Sequence, residues 1–327
     1  MTGLKGLAAL GYSQAELESM SELCRRINAL KRERHAVIPA HVYQRPEILA
    51  GISDFTGDSY RLAKLCAETD AETIVFCGVR FMAESAKILN PDKEVLLPVP
   101  SAGCSLADSI TAADVRRLRA RHPGVPVVSY INTTAEVKAE SDVIVTSANA
   151  GRILGRLFEK HSKLVFLPDA WMGRNLAAEL GKRLGRDLIL WDGKCMVHEN
   201  FDASSVPQYR KTYPGVRLLA HAECNPDLVG AMDFVGGTGD MLRYLRETEA
   251  PYYMLITECG LGELARMQMP HKNLVPMCRL CPHMKVTDLG AVLRTLECPR
   301  PSQRILVEPH IAKRARRALE RMFELAE

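Results

Sequence analysis

An internal repeat of strand ends restricts the fold of this 327-residue chain more than any other sequence feature. A strand pattern ends near His41, and similar patterns end at Tyr130 and His221, which lie 89 and then 91 residues further along. Self-similarity at a near-constant spacing indicates one structural unit that is repeated along the chain. We therefore predict three similar units, each placing a ring-bearing side chain at a strand end.

Short apolar strand patterns alternate with helical patterns throughout the chain. Strands and helices that alternate at this spacing predict parallel sheets covered by helices. The expected fold class is α/β, with three pseudo-symmetric αβα units, each holding a short parallel sheet, around a central cavity. We predict the units at residues 1–105, 106–195 and 196–281, and we expect residues 282–327 to pack on the first unit.

Composition excludes several classes of protein. Apolar residues make up 47% of the chain and charged residues 25%, which is typical of a globular protein and not of a disordered one. The apolar runs are much shorter than the roughly 20 residues that a membrane span needs. The net charge of +4 is small and the basic residues are scattered, so neither nucleic acid nor a membrane is an expected partner. Ser13 and Glu16 predict a helix cap near the N-terminus, not an export signal, and we expect a cytoplasmic protein.

The strand-end repeat predicts where a binding site lies. In parallel α/β sheets, ligands bind beyond the carboxyl ends of the strands, and three units packed about an axis bring those ends together. A single polar side chain at a strand end is more often structural, but recurrence in three units predicts pocket walls that carry acid/base groups. Glu223 is the best candidate for a general base, and burial can raise the pKa of such a carboxyl group. The strand-end candidates are His41, Tyr43, Tyr130, Asn132, His221 and Glu223.

Three cysteines follow a similar spacing, one in each unit. Cys104 and Cys195 lie 91 residues apart in glycine-containing turns after predicted strands, and Cys281 follows 86 residues later. Cys281 also ends a CxxC pair with Cys278 and precedes Pro282, a sequence found in some iron-sulfur sites. Three thiolates on a four-iron cluster leave one iron open to act as a Lewis acid. A zinc site built from Cys278, Cys281 and two distant ligands is the alternative.

Three turns that carry hydroxyl groups are candidates for binding an anion. Residues 236–240 (GGTGD) join a predicted strand to a predicted helix, and residues 57–59 (GDS) and 146–149 (TSAN) are similar. Free N–H groups at the start of a helix attract phosphate or carboxylate groups. An ordinary tight turn can have the same sequence, so this pattern alone does not decide between the two.

Several motifs resemble those of the quinolinate synthases, a family of iron-sulfur enzymes of NAD biosynthesis. The similarity runs from about residue 36 to residue 297, and the longest motif, YINTTAEVKAESD, is too specific for chance agreement. The resemblance implies a pseudo-threefold fold around a [4Fe-4S] cluster held by Cys104, Cys195 and Cys281. The other matching motifs are AHVYQ, DFTGDS, FCGVRFMAES, TSANA, FLPD, WDGKCMVH, HAECNP, DFVGGT and CPHMK.

The resemblance also implies an activity and a set of pocket residues. The family condenses iminoaspartate with dihydroxyacetone phosphate to give quinolinate, phosphate and water, with the open iron as Lewis acid. A second enzyme is expected to supply iminoaspartate. The implied catalytic residues are Glu223, His221, His41 and Tyr130. The implied substrate-binding residues are His41, Tyr43, Ser59, Tyr130, Asn132, Ser147, His221, Glu223 and Thr238.

Two other interpretations stand beside this one. The chain could be an iron-sulfur lyase paralogue with a different dicarboxylic or phosphorylated substrate, or a non-catalytic iron-sulfur sensor. It departs from the family pattern at Ala222, where proline is usual, and at Gly237, where serine is usual. We expect Cys278 to be a spare thiol, or a redox partner of Cys281 when the cluster is absent.

Overall fold

The chain begins with helices that precede the first sheet. The structure, a computed structural model, describes residues 3–327 and starts with a 3-10 helix at Gly3–Leu10 and helix α1 at Gln14–Glu33. The predicted cap is confirmed: the Ser13 N–H donates to Glu16 Oε2 at 2.8 Å, and the Glu16 N–H donates to Ser13 Oγ at 3.3 Å. This reciprocal capping satisfies two backbone donors and fixes where α1 begins.

The first unit contains five short strands. Its elements in chain order are β1 (Ala36–Val37), β2 (Pro39–His41), α2 (Pro46–Gly51), β3 (Phe55–Gly57), α3 (Ser59–Glu68), β4 (Thr73–Val75), α4 (Arg80–Leu89) and β5 (Glu94–Leu96). The strands pair in parallel, in the orders β1-β4-β5 and β2-β3. A bridge between Ala40 and Cys77 joins β2 to the residues that follow β4, which connects the two groups of strands.

The second unit has four parallel strands in one sheet. After a 3-10 turn at Ala107–Ser109, its elements are α5 (Ala112–Arg121), β6 (Val127–Tyr130), α6 (Ala135–Ala139), β7 (Val143–Val145), α7 (Ala150–Phe158), β8 (Leu164–Leu167), α8 (Ala170–Glu179) and β9 (Leu188–Leu190). The strand order is β7-β6-β8-β9. Successive side chains of a strand point to opposite faces. Val127 accordingly joins a core with α5, and Val128 joins the large core that extends into the first unit. The sheet is therefore covered on both faces.

The third unit has three parallel strands. After 3-10 turns at His198–Asn200 and Ala203–Ser205, its elements are α9 (Val206–Thr212), β10 (Val216–His221), α10 (Pro226–Val229), β11 (Phe234–Gly236), α11 (Thr238–Glu247), β12 (Tyr252–Ile256) and α12 (Cys259–Gln268). The strand order is β11-β10-β12. The predicted α/β fold class, with short parallel sheets in αβα units, is confirmed.

The strand registers explain the sequence repeat. In each unit, the strand that ends in a ring-bearing residue pairs with the next strand of that unit, and the ring-bearing residue lies beside a residue at the end of that strand. The pairs are His41 with Gly57, Tyr130 with Val145, and His221 with Gly236. The three ring-bearing residues therefore occupy equivalent places in three strand pairs.

The chain ends with the helices α13 (Pro282–Lys285), α14 (Leu289–Glu297) and α15 (Pro309–Ala326), with a 3-10 turn at Pro301–Gln303. Helix α14 packs on α1 and β4 of the first unit, whereas α15 packs on α6, β7 and α7 of the second unit and on α4 of the first. Arg314 of α15 donates to Glu140 Oε2 at 2.7 Å, which attaches this helix to the residue after α6. Within residues 3–327, none of the helices combines the length and the apolar character that a membrane crossing needs.

The turn after β9 requires a glycine. The Gly193 N–H donates to the Pro168 carbonyl oxygen at 3.0 Å, and the Gly193 carbonyl accepts from the Ala170 N–H at 2.8 Å. A Cβ atom on Gly193 would lie 2.5 Å from the Pro168 carbonyl oxygen and would also collide with Ser109 Oγ. Since the Pro168 oxygen belongs to the backbone, it cannot move aside without breaking this pairing, and only glycine permits so close an approach.

We expect Gly193→Ala to lower the free energy of unfolding by about 1–3 kcal/mol, because the added methyl group overpacks the turn. Gly262→Ala is the matched control, since Gly262 lies in α12 with no atom within 4 Å of the position that its Cβ would take. That change should leave stability unaltered or raise it by about 1 kcal/mol, because alanine is the better helix former. Urea denaturation of the three proteins measures both effects, and wild-type stability of Gly193→Ala would contradict the argument.

Candidate active site

One cavity lies where carboxyl ends of strands from the three units meet. All twelve residues that the family resemblance implied as catalytic, substrate-binding or cluster-binding lie in its wall. They are His41, Tyr43, Ser59, Cys104, Tyr130, Asn132, Ser147, Cys195, His221, Glu223, Thr238 and Cys281. Because these residues come from all three units, the cavity exists only where the units are assembled.

The carboxylate of Glu223 lies at the centre of a buried hydrogen-bond network. Tyr130 Oη donates to Glu223 Oε1 at 2.5 Å, and His198 Nδ1 lies 2.9 Å from Glu223 Oε2. Burial alone would raise the pKa of this carboxyl group, but the neighbouring His198 and His221 and the two hydrogen bonds hold its pKa well below the usual range. The rise in pKa that burial suggested from the sequence is therefore wrong, and Glu223 is ionised.

A chain of hydroxyl and imidazole groups runs from Tyr43 to Glu223. Tyr43 Oη lies 2.6 Å from Thr257 Oγ1, which lies 3.0 Å from His198 Nε2. Because a carboxylate can only accept, His198 Nδ1 carries the proton that faces Glu223. Hydrogen bonds therefore connect Tyr43 of the first unit to Glu223 of the third unit.

His198 and Thr257 were missed as site residues from the sequence, and both are buried. His198 is the last residue of the WxGxCxxH pattern, three residues after Cys195, but it lies in a 3-10 turn and not at a strand end. Thr257 follows β12, a strand whose end carries no residue of the repeated ring pattern. A search of every predicted strand end for hydroxyl groups, and not only for rings, would have found Thr257.

Two histidines have the same local geometry in different units. The Tyr43 N–H donates to His41 Nδ1 at 3.2 Å, and the Glu223 N–H donates to His221 Nδ1 at 3.3 Å, which leaves each ring proton on Nε2. Burial, together with the nearby His221, lowers the pKa of His41 to about 3. Burial also lowers the pKa of His221 to about 4, with His198 acting in the same direction against the opposing charge of Glu223. Both rings are neutral at pH 7.

The three predicted metal-binding cysteines reach the cavity from three loops. Cys104 follows β5, Cys195 follows β9 and Cys281 precedes α13, and all three are free thiols. Burial raises the pKa of Cys104 to about 12, and it also raises the pKa values of Cys195 and Cys281. Such thiols lose their protons when a bound cation compensates the charge. The donor set therefore fits a metal or cluster bound by thiolates.

Cysteine is not the only ligand type close to this position. Cys195, His198 and Glu223 each offer one ligand atom, and these three atoms all lie within 4.8 Å of one another. His198 and Glu223 are hydrogen-bonded to each other, however, so binding a metal there would break the network described above. The three cysteines bring free thiols to the same cavity without taking part in that network.

Cys278 is bonded to Cys259 and not to Cys281. The two partners are 19 residues apart in the chain, and their Cα atoms lie 4.8 Å apart. The expectation that Cys278 is a spare thiol or a partner of Cys281 is therefore wrong, because Cys259 at the start of α12 lies alongside it. The disulfide also removes one ligand from the alternative zinc site at Cys278 and Cys281.

Three helix starts lie in the cavity wall. Ser59 begins α3, Ser147 precedes α7, and Thr238 begins α11. Among the residues that the structure describes, Thr146 Oγ1 and Thr238 Oγ1 are buried without a hydrogen-bond partner. Free hydroxyl groups at helix N-termini are suited to bind an oxyanion. Gly237 can lie beside Ser147 because it has no Cβ atom, which would lie only 2.7 Å from Ser147 Oγ.

We expect acid to destabilise the metal-free chain through the two neutral histidines. Their pKa values in the folded state, about 3 for His41 and about 4 for His221, lie below the unfolded value, so the unfolded chain binds more protons as the pH falls. Stability is fully present above about pH 6.5 and decreases toward pH 4 by about 1.4 kcal/mol per pH unit for each histidine. Urea denaturation at a series of pH values measures this slope.

His221→Gln removes one of the two contributions, so its slope between pH 6 and 4.5 should be shallower than that of wild type by about 1.4 kcal/mol per pH unit. His310→Gln is the control, since His310 is exposed at the start of α15. Parallel slopes for wild type and His221→Gln would show that His221 is not held neutral in the folded protein.

Comparison with known proteins agrees with this geometry. The family model described as Quinolinate synthetase A protein matches residues 25–324. Quinolinate synthase 2 of Mesorhizobium japonicum is 48% identical over 294 residues, which cover 90% of this chain and 88% of the relative. The quinolinate synthases of Xylella fastidiosa (strain Temecula1) and Agrobacterium fabrum are 46% and 44% identical, over 90% and 95% of this chain and 85% and 88% of their own lengths. This chain therefore belongs to the quinolinate synthase family of enzymes.

Proposed function

We propose that the protein condenses iminoaspartate with dihydroxyacetone phosphate to give quinolinate, phosphate and water. The observation that carries this proposal is the single cavity that combines three cysteines, an ionised glutamate, two neutral histidines and three helix starts. The carboxylates and the phosphate of the substrates match the helix N-termini and their hydroxyl groups. The acid/base groups that a condensation needs lie in the same wall.

A [4Fe-4S] cluster held by Cys104, Cys195 and Cys281 is the cofactor in this proposal. With three protein thiolates one iron stays open, and such an iron supplies Lewis-acid chemistry to an oxygen atom of the substrate. The support for this assignment is that the three free thiols lie in the wall of one cavity. Burial raises the pKa of Cys104 to about 12, so it becomes a thiolate only beside a compensating cation. Cys278 is not a candidate ligand because its sulfur is bonded to Cys259.

A proton leaves the substrate along the chain from Tyr43 to Glu223. Tyr43 Oη accepts the proton and passes its own to Thr257 Oγ1, and the Thr257 proton moves to His198 Nε2. The ionised carboxylate of Glu223, which lies 2.9 Å from His198 Nδ1, stabilises the imidazolium that results. Glu223 thus acts as the charge that makes His198 a sufficient base.

Uncharged donors hold the substrate oxygens. His41 and His221 each carry an Nε2–H, because their Nδ1 atoms accept from the backbone. Burial and the neighbouring Glu223 raise the pKa of Tyr130, so its phenol stays neutral and keeps the proton that it donates to Glu223 Oε1. Asn132 adds an amide to the same wall. Neutral donors of this kind orient carboxylates without an excess of positive charge.

The phosphate of dihydroxyacetone phosphate is proposed to bind at the three helix starts. Ser59, Ser147 and Thr238 each bring a hydroxyl group to this side of the cavity. The hydroxyl groups of Thr146 and Thr238, which lack protein partners within residues 3–327, are free to donate to it. Binding there places the three-carbon substrate between the helix starts and the cysteines.

We also propose that the protein works in the cytoplasm with a second enzyme that supplies iminoaspartate. Imines hydrolyse in water, and the buried wall limits access of water, with His41, Glu223 and Thr238 only 5%, 4% and 3% exposed. The three ligand cysteines are free thiols, the form that metal binding requires. No macromolecule such as nucleic acid is needed for this function.

The cysteine assignment gives a direct prediction. Anaerobic reconstitution of wild type should give about four irons per chain and a broad visible absorption that bleaches in air. Cys281→Ser should lose most of the iron, because a neutral hydroxyl is a poor ligand, whereas Cys278→Ser should keep it. Iron and sulfide counts on the three proteins decide the point. A colourless Cys278→Ser variant beside a coloured Cys281→Ser variant would reverse the assignment.

We expect Glu223→Gln to reduce quinolinate formation about 10²–10⁴-fold while the visible spectrum of the cluster stays intact. The amide keeps the shape of the side chain, but it cannot stabilise a charged His198 and cannot accept hydrogen bonds from both Tyr130 and His198. Glu199→Gln is the control, since Glu199 is the exposed neighbour of His198 in the chain. Product is measured by chromatography after adding anaerobic enzyme to freshly generated iminoaspartate and dihydroxyacetone phosphate.

Two outcomes of that assay would count against the proposal. Wild-type turnover by Glu223→Gln would show that the carboxylate is structural. An iron-loaded wild-type protein that forms no quinolinate would point to the lyase with another substrate, or to the sensor.

A further inference from the structure

The side chain of Glu258 connects the end of β12 to the loop that carries Cys281. Glu258 Oε1 accepts from the Cys281 N–H at 3.2 Å, and Glu258 Oε2 accepts from the Gly260 N–H at 2.6 Å. The side chain is buried and lines the cavity beside the proposed cluster ligands. A carboxylate with this pair of partners fixes the backbone on both sides of the cavity wall.

The loop before Cys281 is paired with β12 only as far as Arg279. The Arg279 N–H donates to the Thr257 carbonyl at 3.4 Å, and the Cys259 N–H donates to the Arg279 carbonyl at 3.2 Å. The disulfide between Cys259 and Cys278 reinforces this part of the loop. Beyond Arg279 the main-chain pairing ends, and the bond from Cys281 to Glu258 takes its place. Glu258 is therefore the last attachment before the ligand sulfur.

Lys285 closes the loop on its other side. Its ammonium group lies 3.5 Å from Glu258 Oε1 and 3.4 Å from Glu263 Oε2, and it donates to the Gln44 carbonyl at 3.4 Å. Its own carbonyl oxygen accepts from Arg45 Nε at 2.9 Å. The segment after Cys281 is thereby fixed between the first and third units, with Glu258 as the buried anion that pairs with Lys285.

These contacts favour a positioning role over proton transfer. Both oxygens of Glu258 accept from backbone N–H groups, and Oε1 also lies 3.5 Å from the Lys285 ammonium, so the contacts of this carboxylate are with the loop that carries Cys281 and with its own turn. Gly260 packs closely against the backbone of Tyr43, because a Cβ atom on Gly260 would lie 2.8 Å from the Cα atom of Tyr43. The turn that Glu258 holds therefore contacts both Tyr43 of the proton chain and, through Glu258, the backbone of Cys281.

We infer that Glu258 is a positioning residue that holds Cys281 in place as the third cluster ligand, an inference that rests on the cluster of the proposed function. Partners behind metal ligands commonly contribute ten- to a hundredfold to metal affinity. Glu258 acts through the backbone of Cys281 and not through its sulfur. Replacing the Glu258 carboxylate should therefore loosen the attachment of Cys281 to the cluster, while the Cys281 sulfur remains available as a ligand.

The test compares Glu258→Gln with Glu263→Gln. Both carboxylates contact Lys285, but only Glu258 contacts Cys281, so Glu263→Gln is the matched control. In Glu258→Gln, the amide NH₂ group would face a backbone N–H or the Lys285 ammonium, and two donors cannot form a hydrogen bond with each other. We expect anaerobic transfer of iron from Glu258→Gln to a ferrous chelator to be about ten- to a hundredfold faster than from wild type. Glu263→Gln should release iron at the wild-type rate.

A spectroscopic readout separates this role from a general loss of stability. Glu258→Gln removes a buried negative charge near the cluster, so the reduction potential measured by an EPR-monitored titration should become more positive. Glu258→Asp keeps the charge but is too short to reach both backbone donors. It should release iron faster with little change in potential, and it decides the question if Glu258→Gln does not fold.

The outcomes distinguish the inference from the function on which it rests. A wild-type protein that takes up no iron contradicts the proposed cluster itself. A wild-type protein with its full iron content, together with variants at Glu258 that release iron at the wild-type rate and keep its potential, overturns the role of Glu258 and leaves the cluster in place.

Discussion

The arrangement of the cavity depends on one buried charge, the carboxylate of Glu223. A carboxylate in a protein interior is stable only when its oxygens accept enough hydrogen bonds to replace water. Tyr130 from the second unit and His198 from the segment that enters the third unit supply them. Through Thr257, the same network reaches Tyr43 of the first unit. Leaving any of these partners unpaired would bury an uncompensated polar group, so the network specifies how the three units come together.

Charge explains why this wall fits a thiolate-bound cluster. Glu223 is ionised, His41 and His221 are neutral, and burial keeps the thiols protonated while no cation is bound. In the proposed function, binding of iron would therefore release protons from the cysteines and couple uptake of the metal to pH. Lys285, a cation near Cys281, is already paired with Glu258 and Glu263.

The repeat made much of this cavity predictable. His41, Tyr130 and His221 occupy equivalent registers in three parallel strand pairs. The regular spacing in the sequence therefore identified residues that lie at the same cavity. What the sequence did not reveal depends on contacts between distant segments. The pKa of Glu223 is lowered by His198, a residue in a turn outside the repeat, and no local pattern relates Cys278 to Cys259 at the start of another helix.

The most direct test of the account is anomalous X-ray diffraction at the iron edge from crystals of anaerobically prepared protein. The account predicts one compact iron cluster bonded to the sulfur atoms of Cys104, Cys195 and Cys281, with Cys278 outside its coordination. A signal at the zinc edge only, or a cluster bonded through Cys278, would contradict it.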